Sequence, residues 1–281
     1  MAPTVVAAAM SWLFARDASG YCRTTTCNPN VENCQENESG CIRTGAALTW
    51  SSLPIVYRFH AAGSRKLDNA RARAAIRRAF DAWESVECSA GRTSLRFREG
   101  PEISVDKPLG AEEAPEKFGI YFRDDEWSHE TIDDSFALTN QLYGESTGQI
   151  DYADIEINTA ANDFRLTDDD DPKKVDLQAV VTHEVGHYIG LAHSLDPDSI
   201  MVARYCQSSD RCLSSPDVAR GLSADDRQAV CVLYRPSATE PPSAAESGCA
   251  QGGSTRHDFT TMTAGLLVLG CALVRRRFRR C

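Results

Sequence analysis

The sequence predicts an α+β domain, and three observations carry that prediction. Residues 55–59 and 150–157 alternate apolar and polar side chains, as half-buried strands do. Residues 68–83 place Ile76, Phe80 and Trp83 at i, i+4 and i+7 with arginines on the opposite face, as an amphipathic helix does. A further apolar helical stretch opens after Asp176, whose carboxylate suits an N-cap.

In chain order, a first strand is expected within residues 48–59, then the helix at 68–83, then short strands at 95–97 and 119–122. Residues 136–139 read as an edge strand beside 150–157. Residues 162–176 form an acidic loop, in which Asp168–Asp171 offer carboxylate oxygens of the kind Ca²⁺ takes, although without EF-hand spacing. Leu177, Val180, Val181 and Ile189 supply the buried face of the next helix. Residues 223–234 begin with the capping pair Ser223 and Asp226 and form a last helix carrying Cys231, a natural partner for an upstream cysteine.

The chain has 281 residues, enough for one sizeable domain with appendages. Its net charge is −10. The last 33 residues hold six Arg against one Asp, a surplus of five, which leaves −15 on the rest. Phosphate binding wants a basic face, so nucleic acid is not an expected partner. Of eleven cysteines, Cys22, Cys27, Cys34, Cys41, Cys88, Cys206, Cys212 and Cys231 fall before the tail. Eight cysteines suggest up to four disulfides in an exported protein, with the connectivity open. A zinc cluster held by cysteines is the alternative, against which stands the lack of short paired Cys spacings.

The ends read as appendages. Residues 1–20 hold a twelve-residue apolar run followed by small residues, as a cleaved signal peptide does; a buried N-terminal helix is the alternative. Residues 21–47 are Cys-rich and too polar to build a core, so they depend on disulfides. The main domain is assigned to 48–236. Residues 237–258 are a Pro-, Ser- and Gly-rich spacer. Residues 259–281 combine the apolar run 260–274, shorter than the ~20 residues that span a bilayer comfortably, with an Arg-rich end.

The chemistry is concentrated in residues 181–201. His183, Glu184, His187, Gly190 and His193 spell H-E-x-x-H-x-x-G-x-x-H, and three of the six histidines of the chain lie there. On a helix, His183 and His187 share a face one turn apart. Two imidazoles can therefore converge on one Zn²⁺, while Glu184 is offset towards a water on that metal. Gly190 can take the positive φ that ends a helix, so that the chain reverses and brings in His193. Three protein ligands and one open position describe a catalytic rather than a structural zinc.

With Met201 added, this segment matches the metzincin signature. Ser194, Asp196, Pro197 and Met201 make it resemble the matrixin, or matrix-metalloprotease-like, branch; Ala203 stands where astacins have a tyrosine. The resemblance extends over about residues 48–234. It implies a zincin fold: a twisted mixed β-sheet, about three helices, and an active-site helix followed by a Met-turn. It implies one catalytic zinc on His183, His187 and His193, with Glu184 as general base and acid and Met201 beneath the metal. The edge strand would pair with extended substrate, putting Ala137 and Leu138 near the groove. Ca²⁺ in the acidic loop has parallels in some matrixins, and the loop between Cys206 and Cys212 would wall the substrate pocket. No P-R-C-G-like stretch is present; a cysteine among Cys22–Cys41 on the metal would be a different latency device. The tail, with Cys249, the apolar run and the Arg cluster, resembles myxobacterial sorting tails, and a single-span membrane anchor is the alternative.

The expected protein is thus an exported, secreted or surface-anchored monomer that hydrolyses peptide bonds of extracellular proteins. The rival reading is a zinc-stabilised binding or adhesion module without catalysis. Another keeps the enzyme but gives it a non-peptide amide.

Overall fold

The computed structural model describes residues 20–105, 118–127, 129, 135–169, 171, 173–203, 220–236 and 276–280, to which all structural statements refer. The expected signal peptide, the Cys206–Cys212 loop, the spacer and the apolar run 260–274 lie outside them.

The core is one apolar cluster between a helix pair and a mixed sheet. Helix α1 (Asn69–Glu84) starts at Asp68, whose side chain accepts from Arg71 N–H, and buries Ala72, Ala75, Ile76, Ala79, Phe80 and Trp83. These are the i, i+3, i+4, i+7, i+8 and i+11 positions of one stripe. Helix α2 (Leu177–Tyr188) starts at Asp176, which caps Ala179 N–H. It is buried almost all round, as a helix packed on two sides must be. Helix α3 (Ala224–Leu233) opens with a complete Ser223/Asp226 capping box. These are the three α-helices among the described residues.

The main sheet is built on β8 (Gln149–Ile157). Along one side run β1 (Thr49–Trp50) and β6 (Ile120–Phe122), both parallel to it. On the other side lies β7 (Ala137–Gly144), antiparallel, with Thr139 opposite Ile155 and Asn140 opposite Asp154. The parallel pair β2 (Ile55–Tyr57) and β5 (Phe97–Glu99) continues the layer through single bridges Phe59–Ile120 and His60–Ile103. Two-residue ribbons complete the strands: β3 (Glu87–Cys88) with β4 (Gly91–Arg92), and β9 (Phe164–Arg165) with β10 (Val175–Asp176).

Some expectations shift. The edge strand expected at 136–139 runs on to Gly144, because all eight of its residues are buried against neighbours. The strand expected at 95–97 sits at 97–99, its register set by pairing with β2 rather than by its own pattern. The Arg-rich end, expected to close a sorting tail or a single-span anchor, supplies Arg276–Arg280, which forms β11, antiparallel to Asn140–Gly144 on the outer edge of β7. An unpaired edge is a template for any extended chain, which is the physical reason such a segment can dock there. No helix among the described residues is long and apolar enough to cross a membrane.

Three disulfides join Cys22 to Cys41, Cys27 to Cys34 and Cys88 to Cys231. The last ties β3 to α3, giving Cys231 its upstream partner. The Cys-rich segment is held by more than its disulfides. Its backbone pairs along residues 190–195 through Thr24 N–H to Gly190 O, Ala192 N–H to Cys22 O and Leu195 N–H to Gly20 O.

Candidate metal and catalytic site

Helix α2 carries the first two histidines, and Gly190 delivers the third. Gly190 has φ +102°, and a Cβ there would lie 2.2 Å from Leu48 O, so only glycine fits the turn. The ligand nitrogens of His183, His187 and His193 all fall within 4.8 Å of one another. Nε2 of His183 and Nε2 of His187 are 3.0 Å apart.

The second nitrogen of each helical imidazole is already used. His183 Nδ1 lies 2.7 Å from Ile200 O, and His187 Nδ1 lies 2.8 Å from Leu191 O. A carbonyl only accepts, so Nδ1 carries the proton and Nε2 keeps its lone pair facing its neighbour. Burial, with charge repulsion from His193, pulls His183 down to about 4. Burial, together with its two histidine neighbours, puts His187 well below the usual range, and burial lowers His193 too. Three neutral imidazoles that converge, two of them with backbone-fixed tautomers, fit a divalent zinc.

Glu184 follows His183 and is 6% exposed. Burial pushes its carboxyl up to about 7, opposed by hydrogen bonds from Thr139. The Thr139 hydroxyl lies 2.6 Å from Glu184 Oε2 and 3.0 Å from Glu184 O. Ala137 and Leu138, the residues expected at the substrate groove, end one residue short of this contact. Both are buried in β7, and β11 pairs only with residues 140–144, so it does not reach them.

Met201 is 1% exposed and packs beneath α2. A Cβ on Gly186 would lie 2.1 Å from Met201 Sδ, so the helix needs glycine where the methionine touches its backbone. The loop bearing Met201 is held by the acidic pair at the start of α3. Asp226 accepts from Ser199 Oγ, Ile200 N–H and Ser223 N–H, while Asp225 accepts from Ser194 Oγ and Gly20 N–H. From sequence these two carboxylates read only as cap and first-turn residues.

The last carbonyls of α2 would be orphans of the helix ladder. Gln141 Nε2 donates to His187 O, Trp50 Nε1 to Tyr188 O and Tyr234 Oη to Ile189 O. Three elements therefore grip the end of the helix beside the histidines.

In the acidic loop, Asp169 pairs with Arg71 and Asp171 with Lys174, while Asp170, part of the expected Ca²⁺ site, lies outside the described residues. The latency device is excluded for Cys22, Cys27, Cys34 and Cys41, whose sulfurs are all in disulfides and offer no thiolate. The same bonding removes Cys27 and Cys34, which lie near Glu32, as metal ligands.

Comparison with known proteins agrees with this geometry. The family model described as Matrixin, a peptidase family, matches residues 49–235. The chain is 29% identical over 185 residues to "Matrix metalloproteinase-C" of Caenorhabditis elegans, covering 66% of this chain and 28% of that relative. The chain therefore spans under a third of the length of the curated relative it matches. With a helix that lines up two histidines, a turn that returns a third and a family match across most of the chain, this protein belongs to the matrixin family.

Proposed function

We propose that the chain is a zinc-dependent endopeptidase that cleaves proteins in an oxidising, extracytoplasmic setting. One observation carries the reading: three neutral imidazoles converge beside a buried carboxylate that is no part of their cluster. When bound, zinc supplies Lewis acidity towards water and the scissile carbonyl. His183, His187 and His193 would hold it, and Ile200 O and Leu191 O keep the first two rings oriented for that. Glu184 takes the proton of the attacking water and passes it to the leaving amine. Met201 supports the floor of the site from below α2.

Ala137 and Leu138 would meet extended substrate by strand addition. The stretch of β7 that β11 does not cover, Ala137–Thr139, is the part that reaches Glu184. Three disulfides support export, since such bonds persist outside reducing compartments. Membrane retention through the tail and pairing of β11 with β7 are alternative states, because one Arg-rich end cannot lie across a bilayer and on this strand together.

Glu184→Gln is the test. The variant should bind zinc as the wild type does and lose about 10²- to 10⁴-fold in turnover of a casein-type substrate. Activity retained by E184Q would refute the assignment. A binding module without catalysis predicts no metal-dependent cleavage by the wild type.

A further inference from the structure

Thr139 lies 45 residues before the carboxylate it touches, on a different element, and its side chain is fully buried. Its hydroxyl has one proton and two acceptors in reach, Glu184 Oε2 at 2.6 Å and Glu184 O at 3.0 Å. The shorter, charge-assisted contact takes the proton. No other side chain among the described residues hydrogen-bonds the Glu184 carboxylate, which the Thr139 N–H supports as well. We infer that Thr139 is the positioning residue of the reaction: its hydroxyl pins Oε2, so that Oε1 alone faces the water. This rests on Glu184 being the general base.

The supporting parts are stiff. Thr139 sits in the antiparallel ladder opposite Ile155, and a β-branched side chain has restricted χ1. A glutamate otherwise has several rotamers to sample, and holding one oxygen removes that freedom before substrate arrives. The arrangement also survives the cycle. When the water's proton moves to Oε1, the hydroxyl still donates to Oε2. When that proton leaves for the amine, the same bond returns the carboxylate to its starting orientation. Hydrogen bonds further along β7 do different work, since Gln141 serves a backbone carbonyl and Asn140 serves Asp154 and Glu156.

The test compares Thr139→Val, nearly isosteric but without the hydroxyl, with Thr139→Ser, which keeps it. The full chain is measured for zinc content, thermal unfolding, kcat and KM on a peptide substrate, and a crystal structure of T139V is determined. T139V should keep one zinc and a near-normal KM while kcat falls about 10- to 100-fold, as expected when a reacting group loses its alignment. T139S should recover most of kcat. In the T139V crystal the Glu184 carboxylate should leave its wild-type position or spread over several. Wild-type kcat in T139V, equal loss in T139S, loss of zinc, or an unmoved Glu184 would each overturn the inference. If T139V does not fold, T139A set against T139S gives the same contrast. If the zinc-loaded wild type cleaves nothing, it is the peptidase reading that fails, and the Glu184 conformation in T139V still decides the positioning role.

Discussion

Two glycines of the active-site segment are there for what they lack. At Gly186 the missing Cβ makes room for Met201 Sδ, with Trp83 closing the same space. Gly186→Ala should therefore cost about 1–3 kcal/mol, as overpacked cores do, measured by denaturant unfolding of the metal-free protein. Gly190→Ala meets a backbone oxygen that cannot step aside, in a φ region that L-residues avoid, and should cost roughly 1–2 kcal/mol or more. Because that turn delivers His193, G190A should also weaken zinc binding in a competitive chelator titration. Equal zinc affinity would show that His193 finds its place without the turn.

At the scale of elements, Asp176 joins α2 to the rest of the domain. It caps the helix and pairs with Arg165 and Arg220, all three largely buried. Asp176→Ala removes the cap and leaves two buried guanidinium groups short of a counter-charge, so about 3–5 kcal/mol of stability should go. An acid effect is expected elsewhere. Burial pushes Asp124 up, yet hydrogen bonds from Thr159, the Arg65 N–H and Ser64 outweigh it and hold the carboxyl below its usual value. Arg77 likewise lowers Glu99. Groups lowered in the fold stabilise it above their unfolded pKa values, near 4, and that support is lost as the pH falls through their folded values. Melting temperature should therefore drop below about pH 4, with a shallower drop in Asp124→Asn.

At the scale of the molecule, the longest covalent constraint among the described residues is Cys88–Cys231, with a sequence separation of 143. In the chain-entropy account, closing so long a loop is worth roughly 4–5 kcal/mol, so C88S/C231S should unfold at much lower denaturant. The two N-terminal disulfides close short loops, and their removal should mainly loosen the strand beside residues 190–195. Removing metal with a chelator should abolish proteolysis, and added zinc should restore it. A chelator-resistant activity would sink the proposed chemistry.

Spacing along one helix, with a glycine to turn it, made His183, His187 and His193 legible as a group, because the geometry of a helix is set locally. The same holds for α1, whose stripe and Asp68 cap are written in consecutive residues, and for the capping box of α3. The partners that steady the site were not legible. Thr139 and Gln141 reach α2 from β7, Trp50 from β1 and Tyr234 from the end of α3, across 45 to 138 residues of chain. One signal was available: three successive polar residues, Thr139, Asn140 and Gln141, in a strand that proves wholly buried. Buried polar groups need partners, but only the packing of β7 on α2 and β8 says which ones. The sequence by itself determined the metal-binding chemistry, since that needs only residue types at fixed local intervals. The tertiary structure decided how the glutamate is held and what occupies the edge of β7, because those contacts join segments whose meeting depends on the whole fold.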